Sequence, residues 1–190
     1  MNPKPLLAIA LAATLVAASL TVSAESRRTV VIAPVQVAFD KNWLPNMNQS
    51  RGRVHAVDAE DARRIAADMA ASLHNALDEA VRARGFEVVT SAPGALRLSA
   101  SIEDLYVNAP DIQAPGITKT FVREAGRATL KAEGRDASGA VRLQSEHRGT
   151  AGDTGHLSRA SNVTNRFWFD ALFRNWANEV AAELSQRAAR

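Results

Sequence analysis

Leu96-Arg97-Leu98-Ser99-Ala100-Ser101-Ile102-Glu103 decides how this chain is read, because apolar and polar residues alternate along it without interruption. A period of two sends successive side chains to opposite faces of a strand, so one face is buried and the other meets water. The alternation slips at Leu105-Tyr106-Val107, which predicts a bulge or the end of the strand. Farther on, Ala128, Leu130 and Ala132 face one side of another strand, and Arg127, Thr129, Lys131, Glu133 and Arg135 face the other. Asp136-Ala137-Ser138-Gly139 is a hairpin turn with Gly139 suited to positive φ, and Val141 and Leu143 carry the alternation into the returning strand. Before the quoted stretch, Phe86 to Thr90 makes a short strand, joined to it through the turn Ala92-Pro93-Gly94.

Two helices flank this β section. Asp58 reads as an N-cap, with Glu60 and Asp61 in the first turn, where carboxylates meet the positive end of the helix dipole. Ala62, Ile65, Ala66, Met69, Leu73, Ala76, Leu77 and Ala80 then recur at steps of three and four, one apolar stripe on a helix running to about Arg84. Gly85 closes it by supplying the left-handed conformation without a Cβ. Near the other end of the chain, Phe169, Leu172, Phe173, Trp176, Val180, Ala181 and Leu184 share one helical face, with Asp170 and Arg174 spaced as an i,i+4 pair on the other.

Residues 29–39 are rich in β-branched side chains and predict a first strand, which Pro34 forces to an edge or a bulge because it has no N–H for the ladder. Segments 40–58, 108–120 and 149–161 lack periodicity and read as long loops. The expected fold is α/β, a two-layer sandwich with a mixed, largely antiparallel five-stranded sheet and two helices on one face. A right-handed crossover sets strands one and two parallel, and short turns make the remainder antiparallel. That count brings loop 108–120 beside segment 149–161 and sends loop 40–58 to the opposite edge.

Residues 1–24 read as a cleaved signal peptide: Lys4, an uncharged run from Leu6 to Val22, then Val22-Ser23-Ala24 with small residues where a signal peptidase requires them. The remainder, 25–190, has the size of a single globular domain. The expected location is periplasmic or secreted, with no stable membrane anchor after cleavage. The abundance of Ala and Arg points to a GC-rich bacterial genome. The formal net charge is +3, one unit of it from Lys4, and basic residues are interspersed with acidic ones, which argues against nucleic acid as a partner. Absence of Cys removes disulfides, thiolate metal sites and thiol nucleophiles, so packing alone must hold the fold.

No catalytic or metal pattern stands out. His55, His74, His147 and His156 lie in different elements without ligand spacing, and Asp58, Glu60 and Asp61 are explained by helix capping. A Gly-x-Ser-x-Gly elbow, a phosphate-cradling Gly-rich loop and a dinucleotide fingerprint are all missing. The sequence therefore calls for no cofactor and no metal, and predicts a protein that is not an enzyme. A tryptophan in a polar loop, Trp43, is a candidate anchor for a partner, or else folds back to seal the core.

Val31-Ile32-Ala33-Pro34-Val35 followed by Trp43, the helix end at Gly85-Phe86, Gly94-Ala95-Leu96-Arg97-Leu98 and Asn108-Ala109-Pro110-Asp111 together resemble a family of small proteobacterial envelope proteins. These are commonly lipoproteins and are classed as a domain of unknown function. Ala128-Thr129-Leu130, Asp136-Ala137-Ser138-Gly139 and Asn175-Trp176-Ala177 extend the resemblance over most of the chain. The departure is the missing lipid-bearing Cys, and the family brings no catalytic residues with it. The resulting expectation is a non-enzymatic periplasmic binding or accessory module of the cell envelope, contacting an envelope protein or a cell-wall component. Its contact residues are Trp43, Tyr106, Asn108 and Asp111. Two alternatives are a carboxylate-dependent hydrolase acting on a wall or lipid substrate, and a soluble carrier of an apolar ligand.

Overall fold

The computed structural model describes residues 29–49, 56–108, 110, 121–152, 158–159 and 162–188, so the proposed leader and Asp111 lie outside the described residues. Among the described residues the architecture is mixed α/β, with three helices and a mixed six-stranded sheet. Pro34 does what its missing N–H dictates. The first strand divides into β1 (Thr29–Ile32) and β2 (Gln36–Phe39), and the last main-chain donor before the break, Ala33 N, bonds Leu98 O at 2.8 Å. Both halves run parallel to β4 (Leu96–Val107).

Strand β3 (Glu87–Val88) is parallel to β1 and lies on its far side, giving the order β3-β1-β4-β6-β7 with β2 also on β4. The expected hairpin between the strands at 86–90 and 96–103 is therefore corrected: β1 is inserted between them, and residues 89–95 carry the chain from one side of β1 to the other. Strands β6 (Glu124–Arg135) and β7 (Val141–Gly152) are antiparallel, as the turn at Asp136 requires. A second small sheet pairs β5 (Phe121–Val122) with β8 (Ser158–Arg159). The five strands and two helices read from the sequence thus become six strands in the main sheet and a third helix.

That third helix, α1 (Trp43–Gln49), occupies what the sequence presented as loop. Helix α2 (Ala59–Ala83) begins at the expected cap: Asp58 Oδ1 accepts from the Glu60 and Asp61 N–H groups at 2.8 Å, and Asp61 reaches back to the Asp58 N–H. It ends before Gly85 at φ 83°. Met69, Leu73, Ala76, Leu77, Ala80 and Val81 are its buried face. Helix α3 (Asn162–Ala188) buries Phe169, Phe173, Trp176, Val180, Ala181 and Leu184, the predicted stripe. Asp170, expected to pair with Arg174, instead accepts a hydrogen bond from Ser72 Oγ and ties α3 to α2. Leu98, Ala100 and Ile102 of β4, Leu130 of β6 and Leu143 of β7 complete the core. On the opposite side of these strands Arg97, Ser99, Lys131 and Glu146 stay exposed or partly so.

The β6–β7 turn shows how tightly one side chain can organise a hairpin. Asp136 Oδ1 accepts from Ser138 Oγ at 2.6 Å, Ser138 N at 2.9 Å and Ala140 N at 3.0 Å, while Oδ2 takes Arg142 Nε at 2.7 Å. The Ser138 hydroxyl and then Arg142 hold the Asp136 carboxyl down at about 2. Because the folded value is depressed, the stabilisation is present above the ordinary 3.8 and is lost as pH falls toward about 2. An NMR titration of the Asp136 carboxyl should have its midpoint near 2, and Ser138→Ala should move it upward; an unshifted midpoint in the wild type would show the network absent in solution.

Candidate functional site

Strand direction places the site. Because β2 is parallel to β4, with Phe39 opposite Leu105, the segment that follows β2 emerges at the end of the sheet where β4 stops. Strand β7 runs the same way as β4, so its end at Gly152 arrives there too. The pairing of β5 with β8 brings Phe121 and Val122 beside Arg159 and Ser158, while most of the two loops expected to lie side by side, residues 111–120 and 153–157, falls outside the described residues. Loop 40–58 was expected at the opposite edge and is corrected to this one, for the single reason that β2 and β4 are parallel.

At this end β4 contains one residue more than either neighbour. Ile102 and Leu105 lie opposite Val37 and Phe39 of β2, while Glu103 and Tyr106 lie opposite Thr129 and Arg127 of β6. The bulge includes Asp104, whose φ of 52° is the left-handed conformation that Asp tolerates better than most side chains. Its carboxylate forms no hydrogen bond or ion pair among the described residues. The phase slip seen in the sequence is this bulge.

A depression of about 580 Å3 opens beside it, lined by Asp40, Asp104, Arg127, Thr129, Arg148 and Thr150, with Ala128 and Gly149 at its base. Arg127 is the organising cation: Nη2 meets Asp40 Oδ2 at 3.1 Å, and its guanidinium lies 4.3 Å over the centre of the Tyr106 ring. Asn46 of α1 donates to the Tyr106 hydroxyl at 3.3 Å. Two residues before Asn46 on the same short helix, Leu44 keeps 37% of its surface exposed. A second depression of about 840 Å3 continues down the same sheet face, past Gln36, Arg97, Ser99, Ser101, Lys131 and Glu146. There Lys131 Nζ meets Glu103 Oε2 at 2.6 Å, and this partner raises the Lys131 pKa, so the amine stays charged. Polar lining, shallow relief and opposed charges suit recognition of a surface more than enclosure of a small apolar molecule.

The residues singled out from sequence fare differently. Tyr106 is half-buried in this cluster. Asn108 is used locally, its Nδ2 donating to Glu124 O and its N–H to Ala125 O, both at 2.8 Å. Asp111 lies outside the described residues. Trp43 is corrected: it is 1% exposed, stacks on Phe39 at 4.1 Å with 12° between the planes, and donates from Nε1 to Val107 O at 2.9 Å. It seals the core at this end and holds α1 against β4. Asp40, Asp104, Arg127 and Arg148 were not singled out, although Arg127 was placed on the wet face and the bulge was visible beside Asp104. Sequence distance hides the rest, since Asp40 and Arg127 are brought together only by the parallel pairing of β2.

Among the described residues no group of His, Asp and Glu could hold a metal ion. His147 Nδ1 lies 2.8 Å from Glu179 Oε2, while His55 and His156 lie outside the described residues. No helix among the described residues is long and apolar enough to cross a membrane.

The chain is similar in structure to a PelC dodecamer from Paraburkholderia phytofirmans, with 13% identity and a TM-score of 0.45, over 85% of this chain and 88% of that one. It is also similar to protein XCC0632 from Xanthomonas campestris, of the family DUF330, with 11% identity and a TM-score of 0.45, over 83% of this chain and 85% of that one. No family model matches the sequence, and no curated protein matches it.

Two substitutions separate scaffold from surface at this end. Trp43→Ala should cost about 3–5 kcal/mol in urea unfolding, the penalty of a large buried aromatic, and a near-neutral result would mean that α1 is not docked. Asp104→Gly should leave stability unchanged or raised, whereas Asp104→Val should lose about 1–2 kcal/mol, because a β-branched residue strains at positive φ. Equal stability of the two Asp104 variants would argue against the bulge.

Proposed function

We propose that this chain is a non-enzymatic binding module of the bacterial cell envelope, built as a two-layer sandwich whose helices cover one sheet face and leave the other to a partner. The observation that carries the reading is the convergence of Asp40, the β4 bulge, the start of β6 and the end of β7 on one polar depression at one end of the sheet, to which α1 is joined through Asn46 and Tyr106. The leader-like segment 1–24 and the resemblance to small envelope proteins support the location. An envelope protein or a wall component is the partner class.

Recognition is favoured over hydrolysis by the state of the carboxylates. A general acid needs a raised pKa. Among the described residues the two carboxylates with displaced values, Asp58 and Asp136, are displaced downward, by backbone donors at Asp58 and first by the Ser138 hydroxyl at Asp136, and they serve a cap and a turn. Asp40 is held by Arg127, and the Tyr106 ring beneath that guanidinium gives a flat, preorganised contact at low entropic cost.

A photoreactive residue in place of Leu44 should crosslink one envelope component in living cells. The same group in place of Ser138, in the turn at the other end of the sheet, should not. Arg127→Ala should abolish the Leu44 crosslink while shifting stability by no more than about 1 kcal/mol, since its ion pair and ring contact are exposed. Equal labelling from both positions, or recovery of the protein in the cytoplasm, would refute the proposal.

A further inference from the structure

Among the described residues strand β7 ends the six-stranded sheet: β6 pairs along one side of it and no strand lies along the other. A 12-residue edge is a template for another strand, because half of its main-chain N–H and C=O groups point away from the sheet. Natural edges are usually blunted by Pro, by bulges or by brevity. This one contains no Pro, and the register of its ladder with β6 shifts only at the two ends, beside Arg142 and between Ala151 and Gly152. From Leu143 to Ala151 the register against β6 is unbroken.

We propose that this edge pairs with the same strand of a second copy, antiparallel, about a two-fold axis through His147, joining two six-stranded sheets into one. The sequence of the regular stretch is complementary to itself about that residue. With His147 opposite His147, Glu146 of each copy stands opposite Arg148 of the other, and Gln144 opposite Thr150. On the side facing the helices, Leu143 meets Ala151 and Ser145 meets Gly149, so larger residues stand opposite smaller ones.

The alternatives are penalised by the same residues. Sliding the partner by two residues either way puts Glu146 against Glu146 or Arg148 against Arg148 on the axis, and a slide of one residue exchanges the two faces of the sheet. Glu146 and Arg148 already lie together in one copy, with Arg148 donating from Nε and Nη2 at 3.1 and 3.0 Å, and their side chains are 45% and 77% exposed. In the pair they close into a ring of two carboxylates and two guanidiniums around the axis. The His147 side chain is turned under α3 toward Glu179, so across the axis the main-chain bonds run between Glu146 of one copy and Arg148 of the other, on either side of it.

Sedimentation of the purified protein should show a monomer–dimer equilibrium that weakens with added salt. Glu146→Arg and Arg148→Glu should each raise the dissociation constant by about tenfold or more, since each gathers four like charges at the axis. Glu146→Arg combined with Arg148→Glu should restore the wild-type value, because every cross-copy pair is then reversed and none is lost. Circular dichroism and melting of the single variants should match the wild type, as both side chains are exposed. In this chain without cysteine, Gln144→Cys with Thr150→Cys should oxidise to a disulfide-linked dimer. A wild-type protein that stays monomeric at all concentrations overturns the proposal. So does a dimer indifferent to the single reversals, a double reversal that fails to rescue, or an edge whose amides become protected only when a foreign extended peptide is added.

Discussion

A strand can show one face to a core only while its period of two is kept, and β4 must do so for 12 residues while pairing on both sides. It succeeds by carrying one residue too many. The extra residue accommodates β2 on one side and β6 on the other at the same level. It also changes the buried set from Leu98, Ala100 and Ile102 to Leu105 and Val107. Without the shift, Leu105 would turn to water and Tyr106 into the core. The contacts at that end, the Trp43 indole on the Val107 carbonyl and the Arg127 guanidinium over Tyr106, exist because the phase changes there.

The parts legible in the sequence were those governed by local periodicity or by a single residue's stereochemistry. The stripes of α2 and α3, the Asp58 cap, the stop at Gly85, the Asp136 turn and the bulge near Tyr106 all depend on neighbours within a few positions. What escaped was pairing between distant segments. Pro34 announced a break in the first strand, but nothing local says that both halves lie along β4, nor that β1 separates β3 from β4. Helix α1 escaped because Pro45 and two Asn residues make its composition that of a loop. It is held by Trp43 and by Asn48, which clasps Val57 through both its amide donor and its acceptor. The site inherits this division: Tyr106 was found through its own strand, while Asp40 needed a partner 87 positions away.

The two faces of the sheet are held by different physics. Toward the helices, contact is close enough that side chains had to be deleted. A Cβ at Gly126 would sit 2.8 Å from Phe169 Cζ, and one at Gly149 would sit 2.7 Å from Leu172 Cδ1, both on α3. Toward water, Lys131 with Glu103, Arg135 with Glu133 and Arg148 with Glu146 form short-range pairs that contribute little stability individually but fix the charge pattern a partner would meet. Apolar packing and surface charge pairing thus lie on opposite sides of the same strands.

Helix α3 supplies Phe169, Phe173, Trp176 and Leu184 to the core, and it is the last described element in chain order. A chain made from its N-terminus can form β4, β6 and β7 as neighbours in sequence, yet their apolar side has no lid until residues 162–188 have emerged. The order of the elements thus leaves the covering of β6 and β7 to the last described segment of the chain.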